Sequence, residues 1–109
     1  TFGHAIENSL GYGEWLHGEA VAAGMLMAAQ LSELPGNELQ RLETVLKSAR
    51  LPVSPPRIGA DRMRAAMGMD KKVQASRLRF VLLRELGDAY VEANVDEAKL
   101  AAVLAQADP

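Results

Sequence analysis

The chain contains no cysteine in its 109 residues, which removes disulfide frameworks, thiolate zinc sites and cysteine nucleophiles together. A metal site in this protein therefore needs histidine and carboxylate ligands. The absence of cysteine is also compatible with a reducing cytosol, and we expect a cytoplasmic location.

The chain also has no large excess of either charge and no long apolar run. The formal net charge is −2, so there is no overall basic field to attract nucleic acid or an anionic membrane surface. The longest apolar stretch, residues 20–29, is too short to span a bilayer. We therefore expect no nucleic-acid partner and no membrane segment, and any anion-binding site must be local.

The remaining composition is that of an ordinary globular domain, with 49% apolar and 24% charged residues. Apolar spacing predicts a mainly helical domain with a small β-hairpin. Helices are predicted at residues 17–34, 37–49, 60–67 and 95–107, with the end of another helix at residues 1–10 and a proline-rich loop at 51–59. Strands are predicted within 78–83 and 89–91; residues 80–83 are equally compatible with a buried helix, but we favour the hairpin.

The predicted helix at residues 17–34 has almost no polar face in its first half, because Val21, Ala22, Met25 and Leu26 lie close together. Such a helix is expected to run through the centre of the domain. We expect its partners in the core to be Leu39, Leu42, Leu46, Val81, Leu83, Val103 and Leu104. Asn37 is the predicted N-cap of the following helix.

The two histidines, His4 and His17, both lie near the start of the chain, close to Glu7, Glu14 and Glu19. A single histidine is more often a hydrogen-bonded structural residue than a ligand, but clustering beside a predicted turn and helix start favours a functional site. The three glutamates are more typical of solvated helix ends. From spacing alone, structural and functional roles for the histidines both stay open.

Known metal and nucleotide motifs do not fit this cluster. His17 is followed by glycine, which excludes H-E-x-x-H, and the zinc deaminase signature needs cysteines that are absent. Gly11, Gly13 and Gly18 do not have the spacing of a dinucleotide-binding loop.

Two other local features carry alternative interpretations. The adjacent ammonium groups of Lys71 and Lys72 are able to hold a phosphate or carboxylate, although such a pair is usually solvated surface. Tyr12 and Trp15 are expected to pack the turn against the core rather than to stack on a ligand.

The literal sequence is more specific than its periodicity. Residues 1–7 (TFGHAIE) and 11–25 (GYGEWLHGEAVAAGM) closely resemble the C-terminal domain of the 3-dehydroquinate synthases, members of the sugar-phosphate cyclase family. The resemblance continues through residues 51–53 (LPV), 70–72 (DKK) and 79–83 to the end of the chain. It covers essentially the whole chain and is strongest in the first 25 or so residues.

This resemblance implies an enzyme that converts 3-deoxy-arabino-heptulosonate 7-phosphate to 3-dehydroquinate and phosphate in the shikimate pathway. The implied cofactors are NAD and zinc or another divalent metal, and the implied assembly is a homodimer of the full-length protein. Because the chain starts at Thr1 without a signal-type segment, we interpret the start as a cut, with the NAD-binding domain preceding it.

The resemblance also implies roles for individual residues. In the family, a G-H-T-x-G-H-A motif supplies a zinc ligand and then a substrate-contacting histidine, and His4 matches the second of these. His4 is therefore the expected catalytic and substrate-binding residue. His17, in the L-H-G-E motif, matches another zinc ligand, and Lys71 and Lys72 match the region that contacts substrate anions.

The first histidine of that motif would precede Thr1, and a ligating glutamate lies earlier still in the family. We therefore expect the isolated chain to fold but neither to turn over substrate nor to bind zinc tightly. Two alternatives remain: another sugar-phosphate cyclase, such as 2-deoxy-scyllo-inosose synthase, or a non-catalytic helical interaction module with structural histidines.

Overall fold

The computed structural model describes residues 1–11, 14–68 and 78–109, and within them it confirms a mainly helical fold with one β-hairpin. No helix in this part of the chain is long and apolar enough to cross a membrane. The elements are α1 (Phe2–Leu10), α2 (His17–Leu31), α3 (Gly36–Ser48), α4 (Ala60–Ala66), β1 (Phe80–Glu85), β2 (Asp88–Glu92), α5 (Glu97–Leu104) and a 3₁₀ turn (Ala105–Ala107).

Helix α2 lies at the centre, as predicted, and packs against α1, α3, α5 and β1. Its closest neighbour is α1, because two glycines meet where these helices cross. A Cβ atom added at Gly24 would lie 2.8 Å from the backbone nitrogen of Gly3 and 3.1 Å from its Cα. The two helices therefore touch through their main chains, and only glycine fits at position 24 without displacing backbone.

Helix α2 ends at Leu31, three residues before the predicted end. The Ser32 hydroxyl donates to the carbonyl of Ala28 at 2.6 Å and accepts the backbone N–H of Leu83 at 2.9 Å. Glu33 then adopts a left-handed conformation with φ of 59°, which is incompatible with a continuing helix. Ser32 thus both ends α2 and ties it to β1.

Two predicted helix starts are also corrected. Asn37 lies inside α3 rather than at its N-cap, which is Pro35 in an extended conformation. The Pro35 carbonyl accepts the backbone N–H groups of Glu38 and Leu39 at 3.0 and 3.1 Å. Helix α5 begins at Glu97, later than predicted, because the extended residue before it is the N-cap.

Strands β1 and β2 form an antiparallel hairpin in which Phe80 faces Glu92 and Leu82 faces Tyr90. Side chains alternate between the two faces of a strand, and Phe80 and Leu82 are the buried ones. The prediction that Val81 packs in the core is wrong, since its side chain is 63% exposed.

The main core is apolar and joins α1, α2, α4, β1 and α5. The rings of Phe2 and Phe80 pack against each other in this core with centroids 5.6 Å apart. Its largest fully buried side chains are Phe80, Ile6, Met27, Met63, Leu100 and Leu104. A second, smaller cluster joins Ala22 and Leu26 of α2 to Leu46 of α3. No charged residue in the described ranges is buried, so the groups able to do chemistry lie at the surface.

Candidate active site

A shallow cavity of about 290 Å³ lies where α1, α2 and the start of β1 meet. We call it the α1–α2 cavity. Its side chains with polar groups belong to Thr1, His4, Glu7 and His17. The structure therefore brings the two histidines singled out from the sequence to one place, although their chemical roles remain predictions.

Helix α1 presents two of these groups. Phe2, Ala5 and Ile6 are buried, and this pattern places His4 and Glu7, three residues apart, on the side that borders the cavity. Gly11 ends the helix with a φ of 77°, and its N–H donates to the Glu7 carbonyl at 3.0 Å. A glycine readily adopts this left-handed conformation, which confirms the predicted end of α1.

His17 is the first residue of α2, and its position depends on how that helix begins. The N-cap is Leu16, whose backbone N–H donates to Oε1 of Glu19 at 2.8 Å. Glu19 is thus a helix-end residue, as predicted. Trp15 is half-buried and packs against the main core, also as predicted, whereas Tyr12 lies outside the described residues.

The central contact of the cavity joins the two helices. Nδ1 of His17 lies 2.9 Å from Oε1 of Glu7, with side chains that are 73% and 36% exposed respectively. This contact occupies Nδ1 and leaves Nε2 of His17 for a ligand. The sequence pattern placed Glu7 among the helix-end charges and did not indicate this pairing, because ten residues and a turn separate the two partners.

Apolar side chains border the polar groups. Val21, Met25 and Val81 line the cavity and are 38%, 45% and 63% exposed. The first two were expected in the domain centre, and their exposure arises because the cavity opens along this side of α2. The α1–α2 cavity therefore combines two imidazoles and a carboxylate with an uncovered apolar rim.

The described residues contain no complete set of metal ligands. Within residues 1–11, 14–68 and 78–109, no group of three or more histidine, aspartate or glutamate side chains is placed to hold a metal ion. His17, with a carboxylate on its second ring nitrogen, does fit a single imidazole position of a zinc site. Lys71 and Lys72 lie outside the described residues.

Fold and cavity together define a class of protein: a mainly helical domain with two histidines and a glutamate in an open surface cavity. Its family can be stated more closely. The family model for the 3-dehydroquinate synthase C-terminal domain matches residues 1–73, and the chain belongs to this family.

Individual relatives agree with this assignment. The chain is 46% identical over 110 aligned positions to the 3-dehydroquinate synthase of Nitrosospira multiformis, covering 97% of this chain and 30% of that protein. It is 51% identical over 110 positions to the 3-dehydroquinate synthase of Acinetobacter baylyi, covering 96% of this chain and 30% of that protein. The chain thus spans about 30% of the length of these relatives.

A solved structure has the same fold. The 2-epi-5-epi-valiolone synthase ValA from Streptomyces hygroscopicus subsp. jinggangensis 5008, with NAD+ and Zn2+ bound, matches with a TM-score of 0.73 and 31% sequence identity. The match covers 97% of this chain and 31% of that protein.

Proposed function

We propose that this chain is the metal- and substrate-binding domain of a 3-dehydroquinate synthase. The reaction is conversion of 3-deoxy-arabino-heptulosonate 7-phosphate to 3-dehydroquinate and phosphate in the shikimate pathway. The observation that carries the proposal is the Glu7–His17 contact in the same cavity as His4. Relatives at 46% and 51% identity that are 3-dehydroquinate synthases favour this reaction over that of the 31% identical valiolone synthase.

In this proposal the active site is completed by a second domain that precedes the chain. That domain holds NAD, and the full-length protein is a homodimer. The remaining zinc ligands lie ahead of Thr1, one of them immediately before it in the G-H-T-x-G-H-A motif. A volume of about 290 Å³ is at the lower limit for a small-molecule pocket, which suits one wall of a cleft between domains. The exposed apolar rim formed by Val21, Met25 and Val81 then excludes water from the bound substrate.

The residues singled out from the sequence have different tasks in this proposal. His17 holds one coordination position of the metal through Nε2. His4 contacts the substrate, and as an imidazole it can donate or accept a hydrogen bond at a substrate oxygen. Lys71 and Lys72 provide positive charge for the substrate's anionic groups. When bound, zinc supplies a Lewis acid that polarises a substrate oxygen, and NAD supplies a hydride acceptor.

The reaction itself is tested with the full-length protein. We expect phosphate release and 3-dehydroquinate formation from 3-deoxy-arabino-heptulosonate 7-phosphate, and no turnover of the sugar phosphate that 2-deoxy-scyllo-inosose synthase cyclises. The reverse preference would assign the protein to that other cyclase. If the protein turns over neither substrate and binds neither zinc nor a substrate analogue, the alternative of a non-catalytic helical interaction module is favoured.

Replacing Lys71 and Lys72 together by methionine in the full-length protein is expected to weaken substrate binding about 10- to 100-fold. A lost hydrogen bond to a charged group costs roughly 1.5–3 kcal/mol. NAD binding should change little, and titration of each ligand separately measures the difference. The matched control replaces Lys47 and Lys99, whose ammonium groups pair with Glu43 and Glu33 at the surface. Equal effects of the two double variants would show that Lys71 and Lys72 are ordinary surface charges with no role in substrate binding.

A further inference from the structure

We infer that Glu7 is a positioning residue that fixes the tautomer and ring orientation of His17, so that Nε2 is the nitrogen presented to the metal. This inference rests on the proposed function, because it concerns the zinc ligand assigned there. It gives Glu7 a role in the site that is neither metal coordination nor substrate contact.

The contact with Glu7 determines which ring nitrogen of His17 carries the proton. An ionised carboxylate only accepts hydrogen bonds, so Nδ1 of His17 must carry the proton that it shares with Glu7 at 2.9 Å. A neutral imidazole has one N–H, and the lone pair then lies on Nε2. This is the form that binds a divalent metal, and carboxylates commonly hold metal-bound histidines in this way.

Apart from Glu7, little holds the side chain of His17 in one orientation. Its side chain is 73% exposed at the first residue of α2, so packing does not select one rotamer. Glu7 reaches it from a different helix, whereas the exposed pair Lys47–Glu43 lies within a single helix. The carboxylate of Glu7 on α1 therefore restricts the orientation of the His17 ring relative to the cavity between the two helices, and not only relative to α2.

The pair of Glu7 and His17 is not needed to hold the helices together. Exposed pairs contribute little to stability, about 0–1 kcal/mol even when both partners are charged. The crossing of α1 and α2 is already determined by the backbone contact between Gly3 and Gly24. A contact with little structural value that borders the cavity beside His4 is better explained by its effect on His17.

The tautomer is measured on the 109-residue chain, which contains only two histidines and has its own apolar core. Long-range ¹H–¹⁵N correlation spectra at about pH 8, where an ordinary imidazole is neutral, report which nitrogen carries the proton. His4→Asn identifies the signals of His17. We expect the Nδ1–H form in the wild type and in Glu7→Gln, and a shift towards Nε2–H in Glu7→Ala. An unchanged tautomer in Glu7→Ala would overturn the inference.

Zinc affinity is measured on the full-length protein by competition with a chelator. We expect Glu7→Ala to weaken zinc binding about 10- to 100-fold, the range for loss of a group that orients a metal ligand. Glu7→Gln should retain most of the affinity, because its amide oxygen still accepts from Nδ1–H. The matched control is Glu43→Ala, which removes another paired carboxylate of similar exposure, 39% against 36% for Glu7.

Two results would contradict the role of Glu7. Equal losses in Glu7→Gln and Glu7→Ala would make Glu7 a direct metal ligand, and wild-type affinity in Glu7→Ala would leave it without a role. A wild-type protein that binds no zinc would instead refute the proposed function, while the tautomer measurement would still decide whether Glu7 orients His17.

Discussion

Replacing His17 by alanine in the full-length protein is expected to lower kcat by at least about a thousandfold and to abolish tight zinc binding. A catalytic zinc is held by about three protein ligands, so loss of one imidazole leaves the metal weakly bound. A Lewis-acid metal contributes several kcal/mol to transition-state stabilisation, and each 1.36 kcal/mol is a factor of ten in rate. Steady-state kinetics with metal analysis of the purified protein measures both effects.

The fold should survive this substitution, because the His17 side chain is largely exposed and contributes no core contact. Thermal unfolding followed by circular dichroism checks that the protein remains intact. Asn8→Ala serves as the control, since Asn8 is exposed on α1 and does not line the cavity. Normal turnover with a normal zinc content in His17→Ala would remove His17 from the metal site.

Replacing Gly24 by valine is expected to lower the free energy of unfolding of the 109-residue chain by about 3 kcal/mol, the upper part of the usual range for overpacking. Even the first atom of the new side chain would lie 2.8 Å from the backbone nitrogen of Gly3, and backbone cannot rotate away as a side chain does. The helices must then separate. Urea denaturation measures the loss, which in a domain of this size lowers Tm by roughly 4–8 °C for each kcal/mol.

The matched control makes the same substitution in the same helix. A Cβ at Gly18 meets no atom within 4 Å, so Gly18→Val should change the free energy of unfolding by no more than about 0.5 kcal/mol. A similar loss in both variants would trace the effect to the conformational preference of valine in α2. Wild-type stability of Gly24→Val would show that the helix contact tolerates a side chain.

Local signals in the sequence predicted the parts of the fold that depend on local chemistry. The end of α1 was predictable, since a glycine at position 11 favours a left-handed conformation. The end of α2 was not, because Ser32 ends it while bonding to Leu83, a residue 51 positions away. Likewise, the apolar run at residues 80–83 does not indicate which of its alternating side chains face the core.

The candidate site was likewise predictable only in part. His4 and His17 could be singled out because histidines are rare here and lie in a recognisable motif. The partner of His17 could not, because it depends on the packing of α1 against α2. That packing depends in turn on Gly3 and Gly24, residues that carry no chemical signal of their own.

The contact between Gly3 and Gly24 also bears on the entropy of ligand binding. Immobilising a flexible side chain during binding costs about 0.5–1.5 kcal/mol. If α1 and α2 were not in contact, metal binding would also have to bring the two helices together. Here the main chains of α1 and α2 touch directly, so the spacing between the two backbones that carry Glu7 and His17 is set when the domain folds. The cavity is preorganised by backbone, and substitutions in the more distant core can weaken the domain while leaving this spacing unchanged.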